Sequence, residues 1–156
     1  MPRRPAHPGR SARTARTART GRPARSGRSA VTAGSPCPCG LDATYGACCG
    51  RFHTGPATAP TAELLMRSRY SAFAVLDAAY LLRSWDPATR PPAVDLDPAT
   101  RWTGLEVLDT TDGSPFHTTG TVTFRAHFTQ RGEPDVLEER SRFARHDGAW
   151  VYVGPA

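Results

Sequence analysis

The residues of this chain best suited to chemistry are its four cysteines, which all lie between positions 37 and 49. Cys37 and Cys39 belong to a Cys-Pro-Cys-Gly segment, and eight residues separate that pair from the adjacent Cys48 and Cys49. Disulfides fit this spacing poorly, because they would remove little entropy from the unfolded chain and a bridge between neighbours is strained. Tetrahedral Zn²⁺ binds four thiolates or imidazoles, which two short segments can supply. The spacing therefore predicts one structural Zn²⁺ per chain, bound by all four cysteines.

His53 is the one further candidate ligand close to this cluster. It is able to replace Cys49 as a ligand. The alternatives are that His53 lies behind the ligands or faces solvent, and the sequence alone leaves all three open. A redox dithiol is disfavoured, because that motif separates its cysteines by two residues and opens a helix after a strand. Four thiols leave no open coordination position, so we expect no catalysis at the metal.

Two longer segments resemble a known family. CPCGLDATYGACCGRFHTG, followed by PTAELLMRSRYSAFAVLDAAYLLRSWDPATRP, is similar to the YchJ family of small bacterial proteins. The cysteine pattern also resembles the SEC-C zinc motif at the C-terminus of the SecA translocation ATPase. The resemblance covers residues 35 to about 154. It implies an NTF2-like α+β domain, a cone of helices and curved antiparallel sheet, preceded by a SEC-C-type zinc module, and it implies no established reaction.

Charge is distributed unevenly along the chain. Residues 1–34 contain nine arginines and no acidic residue, whereas residues 35–156 contain eleven arginines and fourteen acidic residues, a net charge of −3. The first segment has only small apolar residues, so we expect a disordered arginine-rich tail over 1–34. A zinc module over 35–56 and the cone over 57–156 follow it. An alternative expectation is that translation starts near Val31 and that the tail is not part of the protein.

Composition also restricts location and partners. An arginine-dense tail binds phosphates through counterion release, so weak nucleic-acid or ribosome binding is expected only through residues 1–34. No segment reaches the roughly 20 apolar residues of a membrane span, and no secretory signal precedes the cysteines. We therefore expect a cytoplasmic protein without a membrane partner.

After the cysteines, the pattern of apolar residues is first that of helices and then that of strands. Apolar residues from Thr61 recur at helical spacing, and Asp77 is placed to cap a second helical segment. Four segments with strand patterns then follow, separated by turn dipeptides, and they span 102–110, 119–130, 136–146 and 149–154. Helices followed by a meander predict an α+β fold with helices on one sheet face.

Two charged residues are predicted to point into the cone. Arg69 occupies a gap in the apolar helix stripe formed by Ala62, Met66, Phe73, Leu76 and Tyr80. Glu139 shares a strand face with Leu137, Ser141 and Phe143. The structural interpretation is either a direct ion pair of Arg69 with Glu139 or an arginine that extends its charged end to solvent. The functional one is an anion or small-ligand site walled by Tyr70, Tyr80 and Trp85. Trp102 and Trp150 are predicted core residues, and His127 is predicted to face solvent.

No catalytic motif accompanies these residues: the sequence lacks a nucleophile elbow, a phosphate-binding glycine loop and a second metal-ligand cluster. We therefore predict a zinc-binding protein that acts as an adaptor by docking a protein partner through its zinc module. A ligand-binding or enzymatic cone with an anion-binding cavity is the alternative. The resemblance implies that a homodimer would form through the open sheet face.

Overall fold

The computed structural model describes residues 30–156, of which Val31–Ala156 form one compact unit. The tail predicted for residues 1–34 lies outside the described residues except for its last five positions. The helices are α1 (Cys49–Thr54), α2 (Ala62–Val75) and α3 (Ala78–Arg83), and the strands are β1 (Thr100–Asp112), β2 (Thr119–Gln130), β3 (Glu133–His146) and β4 (Ala149–Pro155). None of the described helices has the length and apolar character needed to cross a membrane.

Local capping explains where α2 and α3 begin and end. The Leu64 amide donates to Thr61 Oγ1 at 3.1 Å, which confirms the predicted start of α2. Leu76 ends α2 in the left-handed conformation, with φ of 63°, and the Tyr80 amide then donates to Asp77 Oδ1 at 3.0 Å. The bend predicted at Asp77 is confirmed. Leu76 is 45% exposed, however, so the buried stripe of α2 ends at Phe73, contrary to prediction.

The four strands form an antiparallel meander in the order β1-β2-β3-β4. Two tight turns connect the last three strands, and their central residues, Arg131-Gly132 and Asp147-Gly148, all have positive φ. Such turns match the twist of paired strands, which is why the arginine-glycine and aspartate-glycine pairs predict hairpins well. Register shifts in β1, next to Gly104 and Asp109, interrupt its pairing with β2 and bend the strand.

The core lies between α2 and one face of this sheet. Helix α2 contacts β1, β2 and β4, and α1 packs on α2. Buried side chains of the sheet, including Val122, Phe124 and Phe143, meet Met66 and Tyr70 of α2. Helices on one face of a four-stranded antiparallel sheet confirm the predicted α+β class.

Candidate functional site

The four cysteine side chains meet at one point at the N-terminal end of the described chain. A short loop orients the first pair. The Cys37 amide donates to Ala43 O at 3.0 Å, and Gly40, with φ of 90°, makes the turn between Cys39 and Ala43. The second pair lies where α1 begins, at Cys48 and Cys49. All four sulfur atoms lie within 4.8 Å of one another, and no cysteine is more than 5% exposed.

This donor set fits a four-coordinate metal ion. The Sγ atoms of Cys39 and Cys48 are 3.7 Å apart. A tetrahedron with Zn–S bonds of about 2.3 Å has edges of about 3.8 Å, whereas a disulfide bond is about 2.05 Å long. All four cysteines are free thiols. The geometry therefore matches metal coordination and excludes disulfides within the cluster.

Crowding of the thiols changes their acidity in opposite directions. Hydrogen bonds from Cys39 and Cys49 lower the pKa of Cys37 strongly. The bond to Cys37 raises the pKa of Cys49, and burial raises the pKa of Cys48 to about 11. Because one thiolate suppresses ionisation of its neighbours, the cluster needs a cation before all four sulfurs can lose their protons.

Helix α2 contacts the cluster through two side chains. The Ser71 hydroxyl, which is fully buried, lies 3.7 Å from Cys37 Sγ, and Arg67 Nη1 donates to Cys39 O at 2.9 Å. Arg67 Nε also donates to Glu63 at 2.9 Å, which holds the guanidinium in place. The cysteine segment is thus attached directly to the helix that forms one wall of the cone.

His53 is buried, and both its ring nitrogens have partners. Nε2 donates to Ser68 O at 2.9 Å, so Nδ1 is free to accept from the Tyr45 hydroxyl. Its ring also packs on Tyr80, with centroids 4.5 Å apart. The alternative of a solvated His53 is wrong, and the geometry favours Cys49 over His53 as the fourth ligand because no ring nitrogen remains available.

On the other side of α2, a cavity of about 190 Å³ lies between the helix and the sheet. Arg69, Glu139, Tyr70 and Trp85 line it, as the sequence predicted. Aromatic side chains from the sheet complete its walls: Trp102, Phe124, Phe143 and Tyr152. Trp102 and Trp150 were both predicted as core residues: Trp150 is buried in the core, and Trp102 packs against the core, is partly buried and also lines this cavity.

Tyr80 is the one predicted wall residue that lies elsewhere. Its hydroxyl is 2.6 Å from Ser68 Oγ, and its ring packs on His53. The helical stripe that placed Tyr80 beside Arg69 breaks at Leu76, where α2 ends in the left-handed conformation. Tyr80 therefore belongs to the packing between the cysteine segment and the helices.

Arg69 is 6% exposed, and two neighbouring aromatic rings pack against its guanidinium. The Cζ atom lies 4.9 Å from the centroid of Trp85 and 4.6 Å from that of Tyr152. Nη1 donates to Leu81 O at 2.8 Å and to Ser84 Oγ at 2.7 Å. Burial lowers the pKa of Arg69 to about 10, so the side chain keeps its charge at neutral pH.

Glu139 points into the same cavity without forming the predicted ion pair. Within residues 30–156, no Arg69 nitrogen lies within 4.0 Å of a carboxylate. Glu139 Oε2 instead accepts from Ser141 Oγ at 2.6 Å and from Tyr152 Oη at 2.8 Å. Tyr152 thus lies between the two charges. Burial, and to a lesser extent the hydrogen bond to Glu139, raise the pKa of the Tyr152 hydroxyl.

The sequence analysis missed Tyr152, Ser84 and Ser71. Tyr152 lies two residues after Trp150 in β4, and side chains two residues apart in a strand share a face, so the predicted core position of Trp150 would have placed Tyr152 on the inner face as well. The parallel bridge between Trp85 and Tyr152, which brings those rings together, has no local signal in the sequence. The two serines also have no local signal in the sequence, because they are short polar residues next to apolar helix positions.

Comparison with known proteins identifies the class of the cone first. The sequence model of a family described as YchJ, middle NTF2-like domain, matches residues 61–155. That range includes α2, α3 and all four strands. The described helices and sheet are therefore an NTF2-like domain, as the resemblance implied.

The relatives then identify the family. The chain is 68% identical to a UPF0225 protein of Streptomyces coelicolor over 118 residues, which cover 76% of this chain and 92% of the relative. It is 52% identical to a UPF0225 protein of Corynebacterium glutamicum over 119 residues, 76% of this chain and 94% of the relative. The chain belongs to the YchJ family.

Solved structures support the same architecture with the cysteine motif included. A SEC-C motif containing protein from Rhodopseudomonas palustris matches with a TM-score of 0.68 and 32% identity, over 77% of this chain and 96% of that one. A second SEC-C motif containing protein, from Psychrobacter arcticus, matches with a TM-score of 0.66 and 26% identity, over 80% and 83%. Both solved proteins thus share the fold of this chain, and both are described as containing a SEC-C motif.

Proposed function

We propose that the four cysteines bind one Zn²⁺ per chain and that the protein acts by binding a small molecule in its cone. The observation that carries the metal assignment is the set of four buried sulfur atoms within 4.8 Å of one another. Four thiolates favour Zn²⁺ or an iron–sulfur cluster over hard cations. A Zn²⁺ ion with four thiolate ligands has no open position and supplies structure.

The metal has a structural task in this arrangement. The contacts of Ser71 and Arg67 with the cysteine segment lie on the side of α2 away from the cavity. Holding the cysteine segment in place therefore also holds α2, which carries Arg69 and Tyr70 into the cone. A segment this short cannot form a core without such a link, because it has few apolar residues to bury.

Native mass spectrometry of the full chain, with and without a chelator, tests the metal assignment. We expect one zinc ion per wild-type chain, lost on chelation and absent from Cys48→Ser. Thr44→Ser is the matched control, since Thr44 lies in the same loop and is exposed. Four metal-free thiols in freshly purified protein, or the visible absorption of an iron–sulfur cluster, would overturn the assignment.

Small-molecule binding is favoured by the cavity itself. Its walls are mainly apolar and aromatic with a few polar groups, which is the usual composition of ligand sites. Benzyl alcohol is a neutral probe of suitable size, and the fluorescence of Trp85 and Trp102 reports its entry because both rings line the cavity. We expect saturable binding to the wild-type protein and none to Leu137→Trp, which occupies the space. Absence of binding to both proteins contradicts this function.

The adaptor role predicted for the cysteine module stays a prediction. The module is joined to the cone through His53 and Arg67, and its exposed residues include the loop around Leu41 and Asp42 and Arg51 and Thr54 of α1. Homodimerisation, the cytoplasmic location and phosphate binding by the tail likewise stay predictions.

A further inference from the structure

The guanidinium of Arg69 has hydrogen-bond donors left over inside the cavity. Of its five N–H groups, the two on Nη1 are used by Leu81 O and Ser84 Oγ. Within residues 30–156, neither Nε nor Nη2 donates a hydrogen bond. The rings of Trp85 and Tyr152, whose centroids are 5.2 Å apart, pack against the same side of the guanidinium, and neither accepts a hydrogen bond from the edge that carries Nε and Nη2.

A buried charge in this state requires an anion. Burying an ionised side chain is costly unless it is paired and hydrogen-bonded. The nearest carboxylate, Glu139, is only half-buried, and its Oε2 is engaged by the hydroxyls of Ser141 and Tyr152. The parallel N–H groups of Nε and Nη2 match the two oxygens of a carboxylate. The edge of Arg69 therefore has the geometry of a bidentate carboxylate site.

The cavity limits the size and character of the ligand. A volume of about 190 Å³ exceeds the roughly 150 Å³ of an engineered apolar cavity that binds benzene. Phe73, Trp102 and Phe124 supply aromatic walls, and Leu137 adds an aliphatic one. One aromatic ring with a short acidic substituent fits this space, whereas a nucleotide or a polycyclic molecule is too large.

We propose that the cone binds a compact carboxylic acid anion about the size of a one-ring aromatic acid. Its carboxylate pairs with Nε and Nη2 of Arg69, and its apolar body contacts Phe73, Trp102, Phe124 and Leu137. This inference rests on the proposed small-molecule binding by the cone and specifies the class of ligand.

Glu139 distinguishes two classes of ligand that could supply that carboxylate, plain carboxylic acids and α-amino acids. Its Oε1 atom has no hydrogen-bond donor within residues 30–156. A plain acid leaves Oε1 to solvent and meets some repulsion from the glutamate. An α-amino acid would place its ammonium group against Oε1 and its carboxylate on Arg69. Benzoate and L-phenylalanine are the probes that separate the two.

Isothermal titration calorimetry of the zinc-loaded full chain tests the proposal with benzoate, L-phenylalanine and neutral benzyl alcohol. We expect one of the two carboxylates to bind more tightly than benzyl alcohol. Arg69→Gln is expected to weaken that carboxylate about 10- to 100-fold, the loss of a charge-assisted pair, while binding of benzyl alcohol changes little. Equal affinity of wild type and Arg69→Gln for the carboxylates overturns the proposal.

A second variant keeps Arg69 and guards against misfolding of Arg69→Gln. Glu139→Gln removes the neighbouring negative charge, so we expect tighter binding of benzoate if plain acids are the ligands. Weaker binding of L-phenylalanine is expected if amino acids are. No change for either probe overturns the proposal. Binding of benzyl alcohol without binding of any carboxylate also overturns it and leaves the proposed small-molecule function standing, whereas failure of all three probes refutes both.

Discussion

The cysteine cluster and the cone cavity lie on opposite sides of α2 and have opposite electrostatic requirements. In the cluster, four thiols compete for protons, and only a cation allows all of them to ionise. In the cavity, Arg69 carries a buried positive charge whose Nε and Nη2 donors have no acceptor within residues 30–156. One site therefore needs a positive partner and the other a negative one.

The two sites also differ in how the chain builds them. The four sulfur atoms come from one short segment, residues 37–49. The polar groups around the cavity come from α2, β3 and β4, and a loop residue, Trp85, closes one side. A local site keeps its geometry as long as the ion is present, whereas an assembled site depends on every element that contributes to it. Within residues 30–156, helix α2 contacts both sites.

Removal of the metal should have the largest effect and should reach the cavity. Structural zinc contributes about 10–16 kcal/mol in zinc-finger peptides, so we expect a chelator to lower the melting temperature more than any substitution below. Metal-free protein should also lose affinity for benzyl alcohol, because α2 is no longer held by the cysteine segment. Differential scanning calorimetry and fluorescence titration measure the two effects. Unchanged probe binding after metal loss would show that the two sites are independent.

Acidification separates the sites by the sign of their pH dependence. Metal binding displaces protons from thiols such as Cys48, whose pKa is about 11, so affinity for the metal falls as pH falls, by about tenfold per pH unit for each displaced proton. Arg69 is charged below its pKa of about 10, so carboxylate binding weakens as pH rises through that value, and in acid it weakens only where the ligand's own carboxyl group takes up a proton, at a pKa of about 4. Zinc release measured with a chromogenic chelator tests the first trend. Retention of metal in acid would contradict a thiolate site.

His53→Gln should lower stability without removing the metal. The substitution disturbs two buried hydrogen bonds, to Ser68 O and from Tyr45, and we expect a loss of about 1–3 kcal/mol in the free energy of unfolding. Zinc content, measured by native mass spectrometry, should stay at one ion per chain. Loss of the ion from folded His53→Gln would indicate that His53, and not Cys49, is the fourth ligand.

Ser71→Ala tests whether α2 is linked to the metal through one hydroxyl. Removal of its contact with Cys37 Sγ should cost about 1 kcal/mol and speed zinc release. Ser68→Ala is the matched control, since that equally buried hydroxyl bonds Leu65 O and Tyr80 and does not touch a cysteine. Zinc release that speeds up equally in both variants would assign the effect to helix stability alone.

Tyr152→Phe should have the smallest effect, confined to the cavity. The variant keeps the ring over Arg69 and removes the hydroxyl that donates to Glu139, at a cost of about 1 kcal/mol or less. We expect unchanged zinc content and weaker binding of benzoate, because Glu139 gains freedom to approach Arg69. Calorimetric titration measures the change. An increase in benzoate affinity would contradict the separating role of Tyr152.

Much of the fold was predictable because its signals are local. Thr61 and Asp77 cap the two helices through their own side chains, and the Arg131-Gly132 and Asp147-Gly148 turns join strands by their positive φ values. The strand faces of Glu139 and Ser141 follow from a period of two. The break at Leu76, in contrast, moved Tyr80 out of the predicted cavity because a single left-handed residue rotates everything after it.

The sequence by itself determined the cysteine cluster, since four like donors in a short segment can reach one point whatever the rest of the chain does. The partners of Arg69 were decided only by the tertiary structure. The β4 strand and the loop after α3 bring Tyr152 and Trp85 onto the guanidinium, and the Tyr152 hydroxyl binds Glu139. Pairing between residues so distant in sequence depends on register and loop path, which no local pattern encodes.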